Sequence, residues 1–293
     1  MANRARVVLF RLVGALLERL PETVDVGVAR RIATVVGRRE RVRRDLRTNV
    51  RHALGASDAT QDALVERFVD RAMSSYGQYW AEGAKLASMS AATITDRFVI
   101  ADGLVHLEAA RDAGRGVVVA LPHVGSWEWG GAYLAQLGMP MTAVAEAIEP
   151  AELFEWFRHK REGVGIHIEP LDSRAGTVLL DTLRAGGVVG LLCDRDIANN
   201  GVEVTFFGER VTLPAGPATL ALRTGATLVA AACYTGPGRD HFAVVTPPIA
   251  TERRGRLRED VTRITQVIAL ELEGLISRAP DQWHVLQPRF DRS

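Results

Sequence analysis

From residue 98 onward, short β-branched apolar runs alternate with helix-length segments, and this alternation limits the fold more than any other feature of the chain. Phe98 to Ile100, Val117 to Leu121, Met141 to Ala145, Gly165 to Pro170 and Val188 to Cys193 read as strands, being too short and too branched for helices. Between them, Leu104 to Ala113, Trp129 to Leu137, Ala151 to Glu162 and Thr177 to Arg184 read as helices, with Gly114, Gly138 and Gly186 as stop signals after three of them. Repeated β-α units of this kind predict an α/β fold, a largely parallel central sheet flanked by helices. Pro214 to Thr224, closed by Gly225, and Arg258 to Ile276 add two helices. Ala226 to Tyr234 and His241 to Val245 flank a Gly-Pro-Gly loop and read as antiparallel strands.

The first 90 residues lack this alternation and form an N-terminal amphipathic helical region (1–90) preceding the α/β core (91–293). Leu9, Leu12, Val13, Leu16, Leu17 and Leu20 fall on one helical face, and Pro21 ends the segment. Gly37 to Leu54 and Asp62 to Leu86 read as two further helices, the last with a stripe of Leu64, Phe68, Ala72, Tyr76 and Trp80. Such a stripe is core, or in part the wall of an acyl groove. Net charge over the whole chain is only +1, with no basic-aromatic interleaving, so nothing points to nucleic acid. Residues 1–51, however, carry thirteen Arg against five acids. This end is either attracted to an anionic surface or a solvated cationic face. The apolar stretch Val7 to Leu20 is broken by Arg11, Glu18 and Arg19, too short to span a bilayer, and without a small-residue cleavage site. Cys193 and Cys233 both sit in apolar strand-like runs and are expected to be buried thiols rather than a disulfide; no Cys/His spacing suggests zinc.

His123 leaves the end of the Val117 to Leu121 strand, and Glu128 opens the following helix across a Gly125-Ser126 turn. In open α/β sheets ligands bind at the carboxyl ends of strands. A carboxylate there can hold one imidazole nitrogen and leave the other free as a base. The alternative is a structural histidine and a helix N-terminal acid favoured by the dipole. Glu146 and the Asp194-Arg195 pair also follow strand ends, and Arg161 lies in a cationic helix with Arg158 and Lys160.

A histidine followed after four residues by Asp or Glu is the signature of glycerolipid and lipid A acyltransferases. The longer string from Leu121 to Gly131, LPHVGSWEWGG, resembles the bacterial late-acyltransferase family, most nearly its phosphatidylinositol mannoside acyltransferases. The likeness continues at Val144-Ala145-Glu146, Phe157 to Glu162, Cys193 to Asp196, Phe206-Phe207-Gly208, Leu213 to Ala218 and Trp283 to Pro288, so it covers almost the whole chain in order. It implies that Glu146, Arg161 and Asp194 lie in the site. It also implies an acyl-CoA co-substrate without further cofactor, a phosphatidylinositol mannoside acceptor, and a peripheral position on the cytoplasmic side of the inner cell membrane. The family pattern has Glu where this chain has Asp194, shorter by one methylene. If that carboxylate is to reach His123, the backbone must come closer.

The expected chemistry follows. A sugar hydroxyl is a weak nucleophile and needs a base. His123 takes its proton and later delivers one to the leaving thiolate, with Glu128 fixing the imidazole tautomer. The substrate hydroxyl thus replaces the serine of a serine-protease triad. Asp194 completes the catalytic set, Glu146, Arg161 and Arg195 bind substrate, and no metal is required. The amides of Gly125 to Trp127 are one source of donors for the developing oxyanion. Other readings are an acyltransferase for another glycolipid or a lysophospholipid, or one using an acyl carrier protein. From different classes come a metal-dependent phosphoesterase built on His123, Glu128, Asp194 and Asp196, and a non-catalytic lipid binder. No Gly-x-Ser-x-Gly elbow supports a serine hydrolase.

Overall fold

The computed structural model describes Leu12 and residues 14–146, 149–287 and 290. Its strands are β1 (Phe98–Asp102), β2 (Val117–Leu121), β3 (Met141–Ala145), β4 (Ile166–Pro170), β5 (Val188–Leu192), β6 (Val202–Phe206), β7 (Glu209–Leu213), β8 (Thr227–Thr235) and β9 (His241–Val245). Seven of them form one sheet in the order β1-β9-β8-β2-β5-β3-β4. Every neighbouring pair is parallel except β8 and β9, which run antiparallel as their intervening loop predicts.

The pleat explains why the central strands read as unbroken apolar runs. On β2, Val118 and Ala120 enter one core while Val117, Val119 and Leu121 enter the other. On β8, Leu228, Ala230, Ala232 and Tyr234 share the first core, and Val229, Ala231 and Cys233 the second. Both faces are covered, so polar residues have no place on these strands. The Gly216–Thr224 and Leu257–Arg278 helices close one face and the Trp127–Gln136 helix the other. Cys193 and Cys233 are buried free thiols, as expected.

The N-terminal helices lie against this sandwich. Asp25–Val36 runs along Asp62–Leu86 at close range, because Gly77 presents no side chain: a Cβ there would stand 2.5 Å from the Ala29 carbonyl oxygen. Glu40–Ala53 joins the chain's far end, where the Asn49 amide donates to the Val285 and Gln287 carbonyls, 2.9 Å each. The amphipathic segment expected at Leu9 to Leu20 falls partly outside the described residues. Leu12 and residues 14–19 are helical; Leu9 and Val13 lie outside.

The Asp25–Val36 helix was not expected from the sequence, and neither were two further elements. Ala91–Arg97 is a short helix whose Ser90 cap accepts from the Thr93 amide at 3.1 Å. β6 and β7 form a separate hairpin turning on Phe207 and Gly208, at φ 50° and 81°. Such turns favour Asn-Gly. Here tertiary contacts hold a phenylalanine in the left-handed region: its ring lies 5.9 Å from Trp283, and its amide donates to Glu273 at 2.7 Å.

Candidate active site

β2 and β5 are parallel neighbours with Leu121 opposite Leu192. Two residues beyond each comes a polar side chain, His123 after β2 and Asp194 after β5, and the shared register brings them together. Asp194 Oδ1 lies 2.5 Å from His123 Nδ1, and Oδ2 accepts from the His123 amide and the Trp283 indole N–H, both at 2.8 Å. The carboxylate is fully buried. Burial works to raise its pKa, but the positive charge available on His123 and these hydrogen bonds outweigh it and hold the group below its ordinary value. Asp194 is therefore an anion fixed on one imidazole nitrogen. The other, Nε2, makes no hydrogen bond to protein among the described residues, and the ring borders two cavities.

Glu128 had been expected in the place Asp194 occupies. It stands in the first turn of the Trp127–Gln136 helix, and its side chain turns to the N-terminal layer. There Oε1 accepts from the Tyr79 hydroxyl at 2.8 Å and from Arg161 at 3.0 Å. Burial first, and then the adjacent Glu128 carboxylate, push the Tyr79 phenol well above its usual range, so it remains a donor. The Arg161 guanidinium also lies over the Trp127 ring at 5.0 Å. Arg161, expected to meet substrate phosphate, is thus first of all the counter-ion of Glu128.

The turn between β2 and its helix is strapped from both sides. The Gly125 amide donates to the Gln282 carbonyl at 2.9 Å, the Ser126 amide to the Cys233 carbonyl at 3.1 Å, and the His284 amide to the His123 carbonyl at 2.7 Å. Gly125 sits at φ 56°, and a Cβ would stand 2.0 Å from the Cys233 carbonyl oxygen. Of the expected oxyanion donors, the amides of Gly125 to Trp127, these bonds commit the Gly125 and Ser126 amides elsewhere and correct the expectation for those two. His284 is half-buried against Tyr76 and Tyr79; desolvation, and then the His123 charge, lower its pKa to about 3, so it stays neutral beside Ser75 Oγ at 3.0 Å.

Around His123 the cavities differ. One of about 280 Å³ is lined by Glu146, Arg158, Arg161, Arg195 and apolar side chains of β3, β5 and the Ala151–Glu162 helix. One of about 180 Å³ lies between His123, Arg195, Gln287 and the rings of Tyr76, Tyr79, Trp80 and Trp127. A third, about 560 Å³ and almost wholly apolar, extends from Tyr79, Trp80 and Arg161 between the N-terminal helices. Glu146 and Arg195 therefore face the same space as His123. Trp283 and Tyr79, which hold the two carboxylates, were not singled out from sequence, although Trp283 stands inside one of the motifs that carry the resemblance. The four residues of the phosphoesterase reading do not converge. Asp196 binds the Asn200 and Gly201 amides, Glu128 is paired as above, and among the described residues no cluster of three metal-ligating side chains occurs. Among the same residues no helix is long and apolar enough to cross a membrane.

The chain matches the family model described as bacterial lipid A biosynthesis acyltransferase over residues 2–292. It is 34% identical to a phosphatidylinositol mannoside acyltransferase of Mycolicibacterium smegmatis over 284 residues, 96% of this chain and 88% of that one. It is 37% identical to the protein of that name from Mycobacterium tuberculosis strain CDC 1551 / Oshkosh over 251 residues, 84% of this chain and 76% of the relative.

Proposed function

The chain belongs to the bacterial lipid A biosynthesis acyltransferase family, and from that membership we propose that it transfers a long-chain acyl group from acyl-CoA to a mannose hydroxyl of a phosphatidylinositol mannoside. The relatives' names support the acceptor. The observation that carries the mechanism is the buried Asp194 gripping His123 Nδ1 at 2.5 Å, beside cavities open to the rest of the ring.

In this reading His123 Nε2 removes the proton of the acceptor hydroxyl as its oxygen attacks the thioester carbon. Asp194 stabilises the imidazolium that forms and keeps the ring in the tautomer whose free nitrogen faces substrate. The tetrahedral intermediate carries its negative charge on the former carbonyl oxygen. With two turn amides committed, Arg195 is the donor assigned to it, since its side chain borders both cavities that His123 borders. Collapse breaks the carbon–sulfur bond, and the thiolate takes the proton from the imidazolium. The products are the ester and free CoA, and no covalent enzyme intermediate or further cofactor is needed. The apolar cavity suits a fatty chain, and Arg158, Arg161, Arg195 and Glu146 line the polar approach for phosphate and sugar groups. Such substrates put the protein on the inner face of the cell membrane.

The test is thiol release from a long-chain acyl-CoA in the presence of a panel of glycolipid and lysophospholipid acceptors. Transfer should be fastest to the mannoside acceptor. His123→Ala and Asp194→Asn, purified and folded, should each lower kcat by roughly 10²- to 10⁴-fold. A folded His123→Ala protein with near-native turnover at saturating substrate refutes the mechanism; a lysophospholipid preferred over the mannoside refutes the acceptor.

A further inference from the structure

The walls of the large apolar cavity are not held equally. The Asp25–Val36 and Asp62–Leu86 helices are joined by the close approach at Gly77 and by the buried Asp25–Lys85 pair at 2.7 Å. Residues 14–19, a short helix before Pro21, have much less to hold them. Gly14 and Leu17 line the cavity. Leu17 packs in a small cluster whose other buried members are Ala29 and Ala81, while Leu12 and Leu16 are exposed. Towards the Ala151–Glu162 helix there are two contacts. A Cβ at Gly14 would stand 2.9 Å from the Trp156 ring, and Glu18 pairs with Lys160, which itself lies over that ring at 5.5 Å. The Ala151–Glu162 helix has a single buried residue, Leu153. Segments with so few buried contacts open locally before the rest of a fold does. The chain just after this short helix is, by contrast, fixed from three elements. Lys85 Nζ donates to the Leu20 carbonyl at 2.6 Å, Arg97 pairs with Glu22 at 3.0 Å, and Arg239 binds the Glu22 carbonyl and Asp25. Pro21 stands between the loosely held part and the fixed one, and it breaks the helix there.

We infer that residues 14–19 are a lid on this cavity, hinged at Pro21 and latched by the Glu18–Lys160 pair, and that a long fatty chain enters and leaves through the gap the lid opens. The far end of the cavity is bordered by Tyr79, Trp80 and the Glu128–Arg161 ion pair. A chain threaded from that end would carry its methyl terminus past a desolvated ion pair. A lifted lid admits the same chain sideways into apolar surroundings, and its closure removes the chain from water. The inference rests on the lipid-substrate reading for the nature of the ligand, but its test reads chain uptake and not acyl transfer.

Stopped-flow uptake of cis-parinaric acid, a fluorescent fatty acid, by the full chain tests this. Glu18→Cys/Lys160→Cys is bridged with dibromobimane; the native cysteines are buried and are spared. Bridging should slow uptake by roughly tenfold or more against the same variant unbridged. Glu18→Cys capped with monobromobimane carries similar bulk without a bridge, and should take up the probe at least as fast as wild type. Glu18→Gln, a change outside the cavity lining, should speed both uptake and release by roughly threefold or more. Raised salt should do the same to wild type and little to this variant, because the latch is partly exposed and is screened. Uptake by the bridged protein at the unbridged rate overturns the inference. Equal slowing by the monobromobimane adduct also overturns it, since bulk and not closure would then be the cause, and so does a folded wild type that takes up no probe. Uptake that obeys the latch without any acyl transfer counts against the proposed reaction and not against the lid.

Discussion

Asp194 has a short side chain, and the in-register ends of β2 and β5 bring its backbone close enough to reach His123. Its second oxygen is held by the Trp283 indole, itself almost fully buried. Trp283 touches no reacting atom in this arrangement; it holds the carboxylate in the orientation that the imidazole needs. Trp283→Phe keeps an aromatic side chain, though a smaller one, and removes one hydrogen bond to a buried anion, which is worth about 1.5–3 kcal/mol. The expected outcome is a kcat lowered by roughly 10- to 100-fold with KM little changed. The acid limb of the pH–rate profile should also move upward, because the Asp194 anion loses a donor that lowers its pKa. Steady-state kinetics across pH check this, and an unmoved acid limb would make Trp283 a packing residue only. At this scale the residues alone made His123 legible and pointed to Glu128 as its partner; only the family resemblance put Asp194 within reach of the ring. Glu128 is near in sequence and Asp194 is 71 residues away, and only the strand order decides which of them meets the ring.

The element that matters most is the turn from β2 into the Trp127–Gln136 helix, which has no freedom of its own. β8 holds it on one side through Cys233, and the segment from Gln282 to His284 on the other. Gln282 is fixed in turn by two side-chain bonds to Thr235, at 2.7 and 2.9 Å. Gly125→Ala places a methyl against the Cys233 carbonyl at a left-handed φ. The substitution should destabilise the fold by about 2–4 kcal/mol and abolish turnover, since the turn must leave β8 to accommodate it. Urea denaturation and kinetics on one preparation test this, and native stability with native kcat would show that the strap is dispensable. The same scale shows why some elements were legible and others not. β3 and β9 were read to the residue because short apolar runs bounded by turn residues have one interpretation. The β6–β7 hairpin was missed because its turn residues, Phe207 and Gly208, owe their conformation to Trp283 and Glu273, distant in sequence.

Across the whole molecule, the N-terminal helices and the sheet meet through buried charge. Besides Asp25 with Lys85 and Arg239, Glu82 and His241 face each other at 3.4 Å, both almost fully buried, His241 stacked on Trp129 at 4.2 Å. Periodicity marked Asp62 to Leu86 as a helix, but nothing local revealed that Glu82 would meet a β9 histidine. Burial raises the Glu82 pKa to about 7, against a Gln78 hydrogen bond and the charges of Arg239 and Arg30 that lower it; Asp25 adds to the rise. Burial, with Arg97 assisting, lowers His241 to about 3. Between about pH 3 and pH 7 the pair is therefore a neutral acid beside a neutral base. The two groups act oppositely on stability. Glu82 binds its proton more tightly when folded, so its contribution is fully present below about pH 4.5 and is lost as pH rises to about 7. His241 is the reverse, lost as pH falls from about 6.5 to about 3. Between about 4.5 and 6.5 the slopes cancel, and wild-type stability from this pair is level. Glu82→Gln removes only the first term. The variant's stability relative to wild type should then rise by about 3 kcal/mol between pH 4.5 and 7.5, from a carboxylate pKa displaced from 4.5 to about 7. Chemical denaturation of both proteins at pH 4.5, 6 and 7.5 measures that difference, and a constant offset across the three would mean that Glu82 is ionised throughout and that the joint between the helical layer and the sheet is an ion pair.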